Sequence, residues 1–368
     1  LRRRVNGNTA ARAARRASRA SRMAAAALAA WLCSAAVIAS AADAEPRKRR
    51  PPREPTTEEG SVVGESTWFG ATPFAELDIS DAFRIHTETF AAPDASLGSG
   101  HVTVVRPELG VRVTVPASER LVLRLVTRVA ESRYRFRGDV WGAAVSLPFT
   151  VIPDGDELIG DRLDLHSARV AFEGAYRLSD DTNWLAEGEQ WSLLGSAYIG
   201  SRWEDGDFES GLHAGGALGV GYEIPNVLRL ALGASLRTPL DAADFDADPF
   251  VALRWRPFDW LTVRSRELGG QVEFELIPAF DFYVTGFRSS DTYRLRDRFD
   301  PLGDLSFRDR HLRFGAGVDW KVWWLRVGLE AGALTNRRLR VSEEDRGTLL
   351  SRRADTSAYF EIRFELRL

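Results

Sequence analysis

The sequence predicts an antiparallel up-and-down β-barrel that crosses a membrane with its strands. Three observations predict it. After residue 64, apolar and polar residues alternate with period two in segment after segment, as strands with one apolar and one polar face do. Many of these segments run 11 to 16 residues, whereas strands of soluble sandwiches usually have about 5–6. Beyond the N-terminal region no apolar run reaches membrane-helix length. A crossing by strands must close, because lipid cannot satisfy a free sheet edge.

The N-terminal elements read as an address. Residues 1–22 are rich in Arg, Ala and Ser and hold no acid; Met23, the only Met, opens 20 uncharged residues ending at Ala42. Small residues and then Glu45-Pro46 follow. A basic stretch, an apolar run and small residues form a secretory signal. Cleavage fits after Ala39-Ser40-Ala41 or Ala42-Asp43-Ala44, with the site after Ala44 expected. Met23 is the expected start, which makes 1–22 an over-extension of the signal region 1–44. A membrane anchor is the alternative, since 20 residues can span a bilayer, but this run is mostly Ala. Cys33 lies within the apolar run, out of place for lipidation. Residues 45–64, EPRKRRPPREPTTEEGSVVG, hold four Pro, a basic block and an acidic pair, and read as a solvated linker in the periplasm.

Charge excludes some functions. Residues 1–44 carry eight Arg and one acid, leaving 41 basic against 51 acidic residues over 45–368. So acidic a chain lacks the basic footprint of a nucleic-acid binder. One Cys permits neither a disulfide framework nor a Cys-ligated zinc site.

The barrel region is 65–368. Strands are expected near 81–91, 102–115, 119–136, 161–177, 188–202, 208–223, 226–237, 249–257, 259–266, 271–277, 281–296, 308–321, 323–340 and 355–368. The ninth and tenth are short, which leaves a count of 12 open beside 14. Alternation is clearest at the end, where Phe360, Ile362, Phe364 and Leu366 interleave with Glu361, Arg363 and Glu365. It recurs in Leu312, Phe314, Ala316, Val318 and Trp320 against Arg313, Asp319 and Lys321, and in Leu121, Leu123, Leu125 and Val129 against Arg124 and Arg128. Links after the second, sixth, eighth, tenth and twelfth strands are short (Ile224-Pro225, Phe258 and Val322 among them) and the fourth, around Ser179–Glu187, is longer, whereas odd-numbered links such as 137–160, 297–307 and 341–354 are long. Short turns on one side and long loops on the other are the pattern of a transmembrane barrel. Trp184, Trp191, Trp255, Trp260, Trp320, Trp323 and Trp324 lie beside short links; Trp203, Tyr134, Phe136 and Phe208 lie beside long ones. The reading is two interfacial aromatic belts.

The signal, the alternating strands and the closing strand YFEIRFELRL resemble Gram-negative outer-membrane β-barrel proteins, most closely uncharacterised families of predicted outer-membrane barrels. Such proteins usually end in Phe or Trp; this chain ends in Leu368. The resemblance implies Sec export, outer-membrane location, contact with outer-membrane lipid and assembly by the barrel-assembly machinery through the C-terminal strand. It implies no substrate and no oligomeric state.

Chemistry-bearing motifs are sparse. His86, His101, His166, His213 and His311 form no metal-spaced pair. His166 and Ser167 are adjacent, and adjacent strand residues face opposite sides. Asp154, Asp156, Glu157 and Asp161 near His166 read as a solvated acidic loop. The glycines of GGALGVGY, Gly215 to Gly221, are read as strand packing, since no helix follows to make a phosphate loop. No catalytic residue, metal or cofactor is expected. The expected pore lining is Arg124, Arg128, Arg264, Arg266, Glu273, Glu275, Arg313, Asp319, Lys321, Glu330, Glu361, Arg363 and Glu365, with Arg229 and Arg326 on the same face. The expected function is passive passage of small solutes. The alternatives are a barrel hydrolase acting on lipid or peptide, and a purely structural barrel. A 14-strand barrel is too wide for side chains to fill, which favours a channel.

Three local expectations follow. The closing strand faces lipid through Phe360, Ile362, Phe364 and Leu366. The loop 137–160, uncharged from Val140 to Pro153, packs against or into the barrel mouth. Leu268-Gly269-Gly270 is turn chemistry, so a loop over 267–270 sets Arg264 directly opposite Glu273.

Overall fold

A computed structural model describes residues 82–367, apart from 119, 142–145, 148–149, 152–158, 179–189, 207, 225, 239, 241–245, 266–267, 297–304 and 344–346. The signal region 1–44, the linker 45–64, Trp184 and Arg266 therefore lie outside the described residues.

Fourteen strands run in chain order around one closed antiparallel barrel. They are β1 (Phe83–Leu97), β2 (Gly100–Pro116), β3 (Leu121–Arg137), β4 (Arg162–Arg177), β5 (Gln190–Glu204), β6 (Leu212–Ile224), β7 (Leu228–Arg237), β8 (Asp246–Phe258), β9 (Leu261–Ser265), β10 (Leu268–Ile277), β11 (Phe280–Arg294), β12 (Leu305–Val322) and β13 (Leu325–Glu343). The last, β14, runs as Gly347–Ala354 and continues as Ser357–Arg367. It closes the sheet on β1, from Arg84↔Arg367 to Ala91↔Phe360 and again at Leu97↔Ala354. A two-bridge hairpin, Ser146–Leu147 with Thr150–Val151, sits in the connection after β3.

Parity sets the two faces. On the closing strand Phe360, Ile362 and Phe364 are exposed on the outer wall, whereas Glu361 is buried. Across the sheet, Leu123, Phe172, Leu218, Leu232, Val251, Leu276, Val284, Phe314 and Leu329 make an exposed apolar girdle. Trp260, Trp320, Trp323 and Trp324 stand exposed at its turn end. The turn from β12 to β13 is only Trp323-Trp324, and Trp323 takes φ 49° to close it, as a two-residue hairpin turn of this kind requires. Phe364→Arg is expected to cost about 2–4 kcal/mol at mid-bilayer and to reduce assembled barrel. Glu365→Ala should assemble normally. Heat-modifiable mobility on gels compares the two; equal assembly would mean that Phe364 does not face lipid.

Along β3 and β12 polarity inverts away from the turns while parity holds, whereas bulges in β1 and β13 shift the parity itself. On the outward face of β3, Leu121 to Val129 are followed by Glu131, Arg133 and Arg135. On its inward face, Arg124 and Arg128 are followed by Ser132, Tyr134 and Phe136, all three buried. β12 does the same: inward Asp319 and Arg313 give way to Phe307 and Leu305. The barrel thus has a membrane tier, apolar outside and polar inside. Above it stands an outer tier, polar outside and apolar inside.

The outer tier is also narrower. β6 to β10 end low, at Leu212, Arg237, Asp246, Ser265 and Leu268. Above them β5 and β11 meet directly, through a parallel bridge between Trp203 and Arg294 and the Arg296 amide donating to Glu204 at 3.0 Å. Nine strands, β1–β5 and β11–β14, therefore wall the outer tier. About eight strands enclose a space that side chains can fill. Leu97, Val102, Val104, Leu163, Leu165, Leu334, Leu339 and Val341 fill it together with Tyr134, Phe136 and Phe307.

Several expectations are corrected here. β1 continues past 91 to Leu97, through a bulge between Ala92 and Ala95 where Asp94 adopts φ 51°. Residues 347–354 are strand, so the connection before β14 is only 344–346. The first outer link is Gly98-Ser99. Long outer loops give way to long strands at these places. Tyr134 and Phe136 are not belt residues; they lie inside, 3% and 4% exposed. Trp203 and Phe208 do pack together on the outer wall, ring centroids 4.8 Å apart.

Candidate functional site

The lumen of the membrane tier is built from inward residues of successive strands. Of the expected lining, Arg124, Arg128, Arg264, Glu273, Glu275, Arg313, Asp319, Lys321, Glu330, Glu361, Arg363 and Glu365 all fall on the inward parity of their strands.

Their charges are matched in a ladder. Arg313 on β12 donates to Glu330 on β13 at 2.5 Å and also to Glu361 on β14. The Tyr359 hydroxyl donates to Glu330 at 2.6 Å, beneath the Arg313 guanidinium. A Cβ at Gly315 would collide with that hydroxyl, which explains glycine on the inward face of β12. One step toward the turns, Arg326 bridges Asp319 (2.7 Å) and Asp281 (3.1 Å). Arg363 reaches Asp319 at 3.3 Å and the Tyr283 hydroxyl at 2.5 Å. Lys321 holds Asp281 at 2.7 Å and Glu275 at 3.3 Å. On the other side, Arg124 lies 3.4 Å from Glu173, and Arg128 lies 2.7 Å from Glu108. Glu365 meets Arg84 at 3.4 Å.

The expected Arg264–Glu273 pair forms, at 2.5 Å, but in a different register. Arg264 is directly opposite Gln271, and Glu273 is opposite Thr262. Leu268, Gly269 and Gly270 belong to β10, so the loop over 267–270 does not exist. The shift is two residues, which preserves both faces; the charges meet diagonally across the hairpin.

Between the tiers lies a cavity of about 100 Å³. Glu88, Arg106, Glu108, Arg128, Ser167, Arg169, Arg202, His213, Ser289, Asp291, His311 and Arg313 line it, with Phe287 and Tyr293. Arg106 on β2 spans the lumen to Asp291 on β11 at 2.7 Å. Above it the Ser132 and Tyr293 hydroxyls are 3.0 Å apart. Arg337 grips Asp309 through two nitrogens, at 2.7 and 3.1 Å, and Tyr134 donates to the same carboxylate at 3.0 Å. These groups were missed in the sequence. Extending the parity of Arg124 and Arg128 along β3 would have placed Tyr134 inside, but its partners come from strands far away in sequence.

His166 and Ser167 do face opposite sides: His166 pairs outward with Asp205 at 2.6 Å, whereas Ser167 lines the cavity. The structure brings a different pair together. Ser289 and His311 are cross-strand partners, and His311 Nδ1 lies 3.4 Å from Asp309. Asp309 is already committed to Arg337 and Tyr134, so this group anchors the tier boundary. The glycines of GGALGVGY are strand residues of β6; a Cβ at Gly219 would meet the Phe250 ring.

A closed antiparallel sheet with an outward apolar girdle and a charged interior defines a transmembrane β-barrel. No protein-family model matches the sequence, and no curated protein matches it. Among solved structures, a channel of the outer membrane from Pseudomonas putida F1 is similar at TM-score 0.41 and 8% identity, covering 78% of this chain and 96% of that one. The P. putida toluene transporter TodX is similar at TM-score 0.34 and 8% identity, over 78% of this chain and 89% of that one. LpxR from Salmonella typhimurium is similar at TM-score 0.30 and 8% identity, over 77% of this chain and all of that one. The class of this chain follows from its own sheet and its two faces.

Proposed function

We propose that this chain is an outer-membrane barrel of a Gram-negative bacterium that passes small polar solutes, and that its outer mouth is shut in this conformation. On this reading it is exported by Sec, cleaved near Ala44 and assembled through β14. The observation that carries the reading is the content of the membrane tier. Buried ion pairs are often no more stabilising than apolar side chains of similar volume. A wall needed only for strength gains little from Arg313–Glu330–Glu361 or Arg326–Asp319–Asp281 in its interior. Charges of both signs around a polar cavity suit the passage of hydrated solutes.

A second reading, a purely structural barrel, draws on the packed nine-strand tier. The hydrolase reading is weaker: Ser289 and His311 adjoin, but the acid beside them is held by Arg337.

Planar-bilayer recording separates these readings. The native protein is expected to show infrequent, discrete conductance steps. The absence of steps in an assembled barrel, even after its outer tier is loosened, would leave the structural reading. Release of fatty acid or peptide without conductance would favour the hydrolase.

A further inference from the structure

The strands that wall the outer tier are unevenly paired. Along most of the circuit each strand meets its neighbour through an antiparallel ladder; β4 and β5 stay paired up to Leu165↔Glu204, and β11 and β12 up to Arg294↔Ser306. Where β5 and β11 meet, the sheet pairing is the one parallel bridge Trp203↔Arg294, to which the Arg296 amide adds its bond to Glu204 at 3.0 Å. Below that bridge the two strands diverge to admit β6 to β10, so no ladder continues it. β14 and β1 also share a single bridge near the top, Leu97↔Ala354, but their pairing resumes from Ala91↔Phe360 down to Arg84↔Arg367.

The packing is uneven at the same place. β11 sends Tyr293 into the outer-tier core, followed by Leu295, and β4 sends Leu163 and Leu165. None of the buried apolar residues of that core comes from β5; its inward positions at this height are Arg202 and Glu204. β5 can therefore part from β11 without unpacking the core. The cavity between the tiers lies against this joint. Arg202 and His213 line it from β5 and β6, and Ser289, Asp291 and Tyr293 line it from β11. Arg202 and Tyr293 are the chain neighbours of the bridged pair.

We propose that the β5–β11 bridge is the gate of this barrel. Parting Trp203 from Arg294 opens the cavity outward over the low ends of β6 to β10, while the packed core stays with β1–β4 and β11–β14. One bridge contributes little beside a whole ladder, which sets this joint at the low-stability end from which moving elements are drawn. The inference rests on the channel reading and deepens it, by naming the place where the shut mouth opens.

The test is a reversible lock. Trp203 lies on the outer wall against Phe208, and Arg294 has the parity opposite to the cavity residues Asp291 and Tyr293, so both point outward. Neighbouring strands lie about 4.8 Å apart, within the Cα span of about 4.4–6.8 Å that a disulfide bridges. The double variant Trp203→Cys, Arg294→Cys is made in the full chain with Cys33→Ser, which removes the one native Cys, and its cross-link is verified by thiol titration. In planar bilayers, oxidation should cut the open fraction at least about tenfold and reduction should restore it. Both forms are also treated with diethyl pyrocarbonate, and acylation of His213 is followed by peptide mass, with the partly exposed His86 as reference. Oxidation should slow His213 severalfold and leave His86 unchanged. A control pair, Arg308→Cys with Arg340→Cys, joins partners within the ladder of β12 and β13, and its oxidation should change neither reading. Glu204→Ala, a milder change, removes the Arg296 bond; it should make steps more frequent and His213 faster. Equal His213 rates in the two forms of the β5–β11 pair overturn the proposal without any need for conductance. Steps of equal frequency in both forms overturn it and leave the channel reading standing. An equal effect of the control lock, or no change of either reading in Glu204→Ala, overturns it as well. If neither form conducts while His213 still responds to the lock, the gate stands and the passage reading falls.

Discussion

Arg337→Met is expected to destabilise the barrel by about 3–5 kcal/mol, because it strands a buried carboxylate. Arg337 is fully buried and Asp309 nearly so. Two parallel N–H···O bonds join them, and Phe307, Leu334 and Leu339 pack in the same cluster as Tyr134, the other donor to that carboxylate. Without the guanidinium, Asp309 keeps only the Tyr134 hydroxyl and His311. Pairing Arg337→Met with Asp309→Asn removes the orphaned charge and should recover most of the loss. Arg338→Met, one residue along and outward, should cost under about 0.5 kcal/mol. Urea unfolding in lipid vesicles orders the three variants. If Arg337→Met proves no worse than Arg338→Met, the ion pair does not hold the outer tier together.

The faces of this barrel are legible in its sequence because lipid enforces them. A charge on the wrong parity is expelled, so Phe364 and Glu365, or Phe314 and Arg313, declare their sides without a structure. The height at which lipid ends is written less clearly. On β3 and β12 period two persists through the outer tier while the meaning of each side reverses, and on β1 and β13 a bulge shifts the period as well. Tyr134 and Phe136 therefore read as belt aromatics, although they share the parity of Arg124 and Arg128. Strand ends are hidden by local turn chemistry. Ala92-Pro93-Asp94 looks like a break and is a bulge within β1. Gly269-Gly270 looks like a turn, yet both lie in β10, and a Cβ at Gly269 would strike the Gly286 carbonyl. Ion partners such as Arg106 with Asp291, 185 residues apart, are least legible. They depend on two residues sharing one height on facing walls, which no local pattern encodes. The bridge from Trp203 to Arg294 is hidden for the same reason, and it makes a 14-strand barrel narrow enough at one end to pack solid.

That packed end makes the largest functional prediction. Trp141 is 1% exposed within the outer tier and stands edge-on to Phe136, ring centroids 5.6 Å apart. Its backbone is held in place by Arg352, which donates to the carbonyls of Val140 and Trp141. Val140 and Ile159, near the two ends of the connection 138–161, are buried in the same cluster, so the described parts of this connection enter the mouth as its uncharged sequence suggests. The double variant Trp141→Ala, Phe136→Ala removes two rings from the centre of the nine-strand circuit. Each such truncation costs about 3–5 kcal/mol in a packed core, more than the tier can lose and stay closed. The membrane tier keeps its girdle, its closure and its ion pairs. The expected result is an assembled barrel whose conductance steps become frequent and severalfold larger, while Trp141→Leu stays close to the native protein. Steps unchanged in size and frequency, in a double variant that still shows heat-modifiable mobility, would mean that the barrier to passage lies lower, in the ladder of Arg313, Glu330 and Glu361.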